Sequence, residues 1–264
     1  EYDKPLLQAI SDKSLQDEYR ATLKSVYGAL KSMDGCIRFA LLTGVTKFSK
    51  VSVFSDLNNI EDISMNPYYY DICGISGQEL HDVFDEEIGE FAKVNGQTRE
   101  EAYAMLEQRY DGYHFAPDTP GMYNPFSVLL TLKNQHYGSY WFSTGTPTYL
   151  VELLKEVDMN PTELSGYEAS ASELDSVHIK ADNPIAVLYQ SGYLTIKGYD
   201  RSVRLYTLDY PNEEVKEGFI SFLMPFYTPI SQNDSPSFVG KFVREVRNGK
   251  VDAFMQRLKA LMAD

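Results

Sequence analysis

Cationic residues are in short supply: 24 Lys and Arg stand against 38 Asp and Glu in 264 residues, a formal net charge of -14 and a pI near 4.7. General binding to nucleic acid or to an anionic membrane relies on a basic surface that neutralises phosphates, so only a local patch could do either here. Cysteine is scarcer still, with Cys36 and Cys73 alone. Each stands in an apolar, strand-like run where a thiol behaves as a small hydrophobe, and no disulfide framework is indicated. The histidines, His81, His114, His136 and His178, are scattered without metal-ligand spacing, so no zinc site is expected. No Gly-x-Ser-x-Gly elbow occurs, and neither cysteine lies in a polar loop. Apolar runs stay well short of the roughly 20 residues that span a bilayer. No signal-like start is visible, and a reducing cytoplasm is the expected location. Also lacking is any Gly-x-x-x-x-Gly-Lys-[Ser/Thr] string, the turn whose backbone N–H groups cradle phosphates. Gly240-Lys241 and Gly249-Lys250 have neither the upstream glycine nor the following hydroxyl, and read as helix-terminus residues.

What is present is a succession of helix signals. Asp12 can cap a helix running to about Lys31, closed by Gly35. The run from Cys36 to Val45, short, apolar and bounded by Gly35 and Gly44, predicts a buried strand of a parallel sheet covered on both faces. Tyr70 to Gly74 is a second candidate strand. Ser76-Gly77-Gln78-Glu79 and Thr98-Arg99-Glu100-Glu101 both have capping-box form, which predicts helices over about 77–93 and 99–109, joined at Val94-Asn95-Gly96. Between Gln78 and Asp111 there are ten acidic residues and three basic ones, the composition of a solvated helical face. Asn124-Pro125 and Thr146-Pro147 each offer a cap followed by proline at the first helical position.

Further along, Ile185 to Ser191 is helix-like, and Tyr193–Lys197 and Val203–Leu208 alternate around Gly198–Ser202, the pattern of a β-hairpin. A helix leading into such a hairpin is similar to a winged-helix fragment. Lys197, Arg201 and Arg204 then put three positive charges on or near the wing, a local candidate for nucleic acid set against a plain packing role. Asn212 can cap a helix to about Phe226, Ser235-Pro236 starts another that stops at Asn248-Gly249, and a last helix fills the C-terminus. Glu214-Val215-Lys216 spells the E-x-K of a PD-(D/E)XK nuclease. That motif belongs at a strand, whereas these residues lead into an apolar-periodic helix, so they read as a helix start.

Two segments read together carry a resemblance: Glu1-Tyr2-Asp3-Lys4-Pro5-Leu6-Leu7 and, after one helix, Leu41-Leu42-Thr43-Gly44-Val45-Thr46-Lys47. They resemble the Walker B and sensor 1 regions of the bacterial AAA-ATPase-like family that usually carries a PD-(D/E)XK nuclease domain at its C-terminus. Tyr110-Asp111-Gly112-Tyr113-His114-Phe115, Tyr123-Asn124-Pro125-Phe126-Ser127 and Trp141-Phe142-Ser143-Thr144-Gly145-Thr146-Pro147-Thr148 match that family's recurrent lid motifs in the same order. The resemblance implies that Glu1 polarises the water attacking ATP, beside an Mg²⁺ held by an Asp preceding residue 1. It implies Thr43 at the sensor 1 position, with Lys47 and Lys50 on the following loop able to reach an anion. Read from the residues alone, Thr43 is equally a strand-end hydroxyl, the two lysines are solvated, and the three strings fill an interface.

The implied fold is α/β and predominantly helical. Residues 1–76 would form the C-terminal part of a P-loop NTPase sheet, 77–180 a helical lid, 181–230 a winged-helix-like module, and 231–264 a helical connection toward a nuclease domain. Because the chain begins at Glu1 without a Met, it is expected to be a fragment that lacks the P-loop half and stops before the nuclease. The parent is expected to hydrolyse ATP with Mg²⁺ and is a candidate for action on nucleic acid; the fragment alone is expected to be inactive and open to self-association. The competing class is a non-catalytic module whose wing or tyrosine-rich surface binds nucleic acid, protein or glycan.

Overall fold

The structure, a computed structural model, describes residues 9, 12–44, 60–141, 154, 163–175, 184–227 and 235–261. Helix α1 spans Lys13–Ser32 and starts as expected, with the Asp12 carboxylate accepting from Leu15 N at 3.0 Å. A 3₁₀ turn, Asp34–Cys36, follows. The strand expected from Cys36 to Val45 is not formed over the described residues 36–44: Cys36 closes the 3₁₀ turn, Phe39 is 81 % exposed and Leu41 57 %. A strand exists only through hydrogen bonds to a neighbour, and none of the described residues supplies one to this run. Tyr70–Gly74 is likewise not a strand but a turn, entered from a 3₁₀ turn at Pro67–Tyr69 and leaving through Gly74 at φ +101°. Cys36 and Cys73 are therefore exposed rather than buried in strands.

The helical hairpin forms as its caps dictate. Helix α2 spans Gly77–Val94 and α3 spans Arg99–Tyr110. In the first box Glu79 N donates to Ser76 Oγ at 3.2 Å, and Ser76 N donates back to Glu79 Oε2 at 2.8 Å. Thr98 and Glu101 repeat the exchange at 3.1 and 2.8 Å. Such caps contribute about 1 kcal/mol each. The two helices lie antiparallel, pinned by the Asp85–Arg99 ion pair and by Tyr103 Oη donating to Asp85 Oδ1 at 3.0 Å. Burial and the Asp85 charge push the Tyr103 hydroxyl up to about 12. Much of the acidic run thus serves local caps and pairs.

Helix α4, Pro125–Asn134, starts on Asn124, whose Oδ1 accepts from Phe126 N and Ser127 N at 3.0 and 3.3 Å. It closes a first core in which Leu80, Ile88, Phe91, Leu106, Tyr110 and Val128 are fully buried. At its centre the Tyr110 hydroxyl accepts from Thr131 Oγ1 at 2.8 Å and from Gly138 N at 3.0 Å, and donates to Gly138 O at 2.9 Å. Tyr110→Phe leaves those three groups without this partner. It is expected to destabilise the chain by about 2 kcal/mol in urea unfolding, because buried polar groups then lose their hydrogen bonds; an unchanged midpoint would show that the network carries no weight.

A second core is built on strands β1 (Tyr167–Ser170), β2 (Thr195–Asp200) and β3 (Leu205–Asp209). Their order is β1-β3-β2 and every pairing is antiparallel, with Tyr167 opposite Leu208 and Thr195 opposite Asp209. The described sheet is therefore antiparallel, and the parallel sheet expected over residues 1–76 is not formed by their described residues. Short helices α5 (Ala171–Asp175) and α6 (Ile185–Gln190) lie between β1 and β2 in sequence. The hairpin of β2 and β3 matches expectation, and a bulge between Ile196 and Gly198 shifts its register. Helix α7, Glu213–Tyr227, seals the sheet by burying Val215, Phe219 and Leu223. Helices α8 (Ser235–Arg247) and α9 (Val251–Leu261) are separated at Gly249, φ +64°, and joined by an edge-on Phe242–Phe254 contact and an Arg257–Glu245 pair at 3.1 Å. Among the described residues no helix is long and apolar enough to cross a membrane. The Thr146-Pro147 helix start lies outside the described residues.

Candidate functional site

The described parts of the three aromatic strings meet at the seam between the two cores. The chain leaves α3 at Tyr110 and bridges back on itself, with Met122 N donating to Tyr113 O at 2.9 Å and Tyr123 N to Ile75 O at 2.8 Å. Gly112 sits at the bend with φ +102°. A Cβ there would stand 2.3 Å from Pro211 O and 2.9 Å from Lys197 Nζ, so only glycine fits this approach. Lys197 Nζ fills the gap, donating to Gly112 O at 2.8 Å and to Pro211 O at 3.0 Å. Beside it His114 N donates to Thr195 Oγ1 at 2.8 Å, and that hydroxyl donates to His114 O at 3.1 Å.

Deeper in the seam lies Glu214, fully buried in the first turn of α7. Its two oxygens serve different elements: Oε2 accepts from Ser127 Oγ of α4 at 2.7 Å, and Oε1 from Trp141 N at 3.0 Å. Asn212 Oδ1 caps α7 by accepting from Val215 N at 3.1 Å. On the rim Gln108 Nε2 donates to Glu213 Oε1 at 2.6 Å, and Arg109 approaches Glu217 at 3.5 Å.

The seam's charges are shifted by their surroundings. Burial pushes the Glu214 carboxyl up, against the Trp141 N–H, the Ser127 hydroxyl, the Tyr140 backbone and the Arg109 charge, which favour its ionised form. Asp111 is also pushed up by burial, with the Gly112 N–H opposing and Glu107 reinforcing. Burial lowers Lys197, and Asp111 and Asp209 offset part of that. Tyr113, beside Asn124 but outside hydrogen-bonding geometry, is raised chiefly by burial. Because the folded chain holds the Glu214 proton more tightly than the unfolded chain does, its contribution to stability is fully present below the usual carboxylate range. That contribution is lost as pH rises through the raised value. Glu214→Gln should therefore gain stability relative to wild type as pH climbs above 4.5. Parallel thermal melts across pH check this, and a pH-independent difference would contradict it.

The arrangement holds its charges in place rather than presenting them. Among the described residues no group of three or more His, Cys, Asp or Glu side chains could hold a metal ion. Asp111 Oδ1 and Asn212 Nδ2 are buried with no hydrogen-bond partner in the structure. An open depression of about 510 Å³ lined by Glu86, Glu90, Arg99, Lys133 and neighbours lies on the hairpin, and no residue of the three strings lines it.

Of the residues singled out from sequence, Glu1, Lys47 and Lys50 lie outside the described residues. Thr43 is described and exposed, in a segment without strand pairing. Lys197 is brought into the seam as a structural cation. Arg201 donates to Asp118 Oδ2 at 2.9 Å, and Arg204 is exposed at φ +60° in the tight turn between β2 and β3. Glu214 had been legible only as a helix start. Its position just after the Asn212 cap explains its residue type, and nothing local announces that it is buried.

Comparison with known proteins adds a family match to one end of the chain. Residues 1–54 match the family described as "AAA-ATPase_like: Predicted AAA-ATPase". An uncharacterized protein in the vnfD 5′ region of Azotobacter chroococcum mcd 1 is 37% identical over 231 residues, which is 87% of this chain and 42% of that relative. The chain thus spans less than half the length of that relative. No solved structure matches the chain. Residues 1–54 are thus similar to the AAA-ATPase-like family.

Proposed function

We propose that this chain is part of an ATP-hydrolysing AAA-ATPase-like protein. The observation that carries this reading is the family match over residues 1–54, the stretch that holds Glu1, Thr43, Lys47 and Lys50. In this reading Glu1 polarises the attacking water, Thr43 bonds to that water or to the terminal phosphate, and the two lysines attract the nucleotide's charge. Bound Mg²⁺ would supply charge neutralisation at the phosphates. The 264 residues contain no Gly-x-x-x-x-Gly-Lys-[Ser/Thr] phosphate cradle, and among the described residues no group of three or more His, Cys, Asp or Glu side chains could hold a metal ion.

The hairpin of α2 and α3 with α4 then serves as the helical lid. Residues 181–230, which hold α6, β2, β3 and α7, serve as the winged-helix-like module, although the sheet's other strand, β1, comes from the lid range. A nucleic-acid role for that module has less support, since Lys197 and Arg201 are already bonded within the chain. Calorimetric titration of the 264-residue chain with Mg-ATP is expected to show no binding. A micromolar Kd would overturn the view that nucleotide binding depends on that cradle.

A further inference from the structure

The two cores are separate apolar clusters, one on α2, α3 and α4 and one on the sheet and α7. Of the polar groups that cross between them, the rim pairs Gln108–Glu213 and Arg109–Glu217 include exposed side chains and add little. Lys197 grips two backbone carbonyls, one on either side of the seam. Glu214 differs from both. It is fully buried, and each of its oxygens is bonded to a different element outside α7.

What it holds at Trp141 is also placed to register any change. The Trp141 ring meets Tyr193 edge-on at 5.0 Å between centroids, and Tyr193 meets Phe219 of α7 at 5.1 Å. Helix α7 therefore grips Trp141 twice, through the Glu214 carboxylate on its backbone and through Phe219 and Tyr193 on its ring. Ser127, the other partner of Glu214, is the third residue of α4, and its N–H donates to the Asn124 cap that fixes where that helix begins.

We propose that Glu214 is a latch between the two cores: its carboxylate ties the start of α4 to the start of α7 and fixes the backbone at Trp141, so that the cores open together while both bonds stand and separately when they are lost. The latch rests on contacts among described residues and is independent of the assignment of ATP hydrolysis. Its place suits a coupling element. Trp141 opens the third recurrent string and Ser127 ends the second, so one carboxylate holds both.

The chain carries one tryptophan, so its emission reports on this seam alone, while far-UV circular dichroism reports on all the helices. Urea titrations of the 264-residue chain should be followed by both signals. In Glu214→Ala the Trp141 midpoint is expected to fall below the dichroism midpoint by about 0.5 M or more beyond any separation in wild type. Its native emission should also shift to the red. Glu214→Gln, which can still accept from Trp141 N and bond to the Ser127 hydroxyl, is expected to keep the wild-type separation. Should Glu214→Ala fail to fold, Ser127→Ala cuts the α4 bond alone and is expected to separate the midpoints in the same sense by a smaller amount. Unchanged separation and emission in the cut variants, or a Gln variant that separates as the Ala variant does, would overturn the latch.

Discussion

Gly112→Ala is expected to destabilise the chain by about 3 kcal/mol or more, a larger effect than a surface substitution produces. Two costs combine. An L-residue at φ +102° is held in a left-handed conformation that costs roughly 1–2 kcal/mol. The added methyl would also stand 2.3 Å from Pro211 O, a backbone atom that cannot swing aside, and 2.9 Å from the Lys197 ammonium that bonds to both carbonyls. Relief requires moving the end of α3 away from the start of α7, which opens the seam and breaks the Lys197 bonds that join its two sides. Gly166 provides the control, because it too has a positive φ, +76°, yet a Cβ there meets nothing within 4 Å. Gly166→Ala should show the conformational cost alone. Urea unfolding of both variants separates strain from collision, and equal losses would mean that the Gly112 approach is not tight in solution.

The contrast between those two glycines bears on what sequence can announce. Both are ordinary turn glycines when read locally, and only the carbonyl arriving from residue 211 sets them apart. Features decided within one turn of chain were legible. The Ser76 and Thr98 capping boxes, the Asn124-Pro125 start, the Asn248-Gly249 stop and the β2–β3 hairpin all stand where their residue types put them. Features decided by a distant partner were not. The apolar run Leu41-Leu42-Thr43 has strand composition, but composition supplies no neighbour to hydrogen-bond, and among the described residues none pairs with it as a strand. Tyr70–Gly74 reads as a strand until Gly74 is seen to turn at φ +101°.

The seam shows the same limit. Lys197, read as a charge on a wing, stands 85 residues from Gly112 and is bound to its carbonyl. Glu214, read as a helix start, meets Ser127 across 87 residues. The three strings were expected to fill an interface between lid and ATPase core, whereas their described parts lie at the seam between the helical core and the sheet core; the carboxylate and the amine that join them there were not legible. Nor could the acidic run between Gln78 and Asp111 be divided by inspection into caps, pairs and open surface, since Asp85 finds Arg99 only once the hairpin has closed.

The central claim is that the stretch beginning at Glu1 carries ATP-hydrolysing chemistry, and the effect expected there is the largest of all. A carboxylate that orients and polarises the attacking water accelerates the step by roughly 10²–10⁴-fold. Glu1→Gln preserves size and hydrogen-bonding reach but removes the basic oxygen, so substrate binding should persist while turnover collapses. Thr43→Ala, losing a single hydroxyl contact, should cost less. Circular dichroism should show the helical content of both variants to be that of wild type. The decisive measurement is steady-state Mg-ATP hydrolysis by the full-length protein with and without Glu1→Gln. The account predicts a fall in kcat of about 100-fold or more with KM nearly unchanged, and a variant that turns over ATP at the wild-type rate would contradict it.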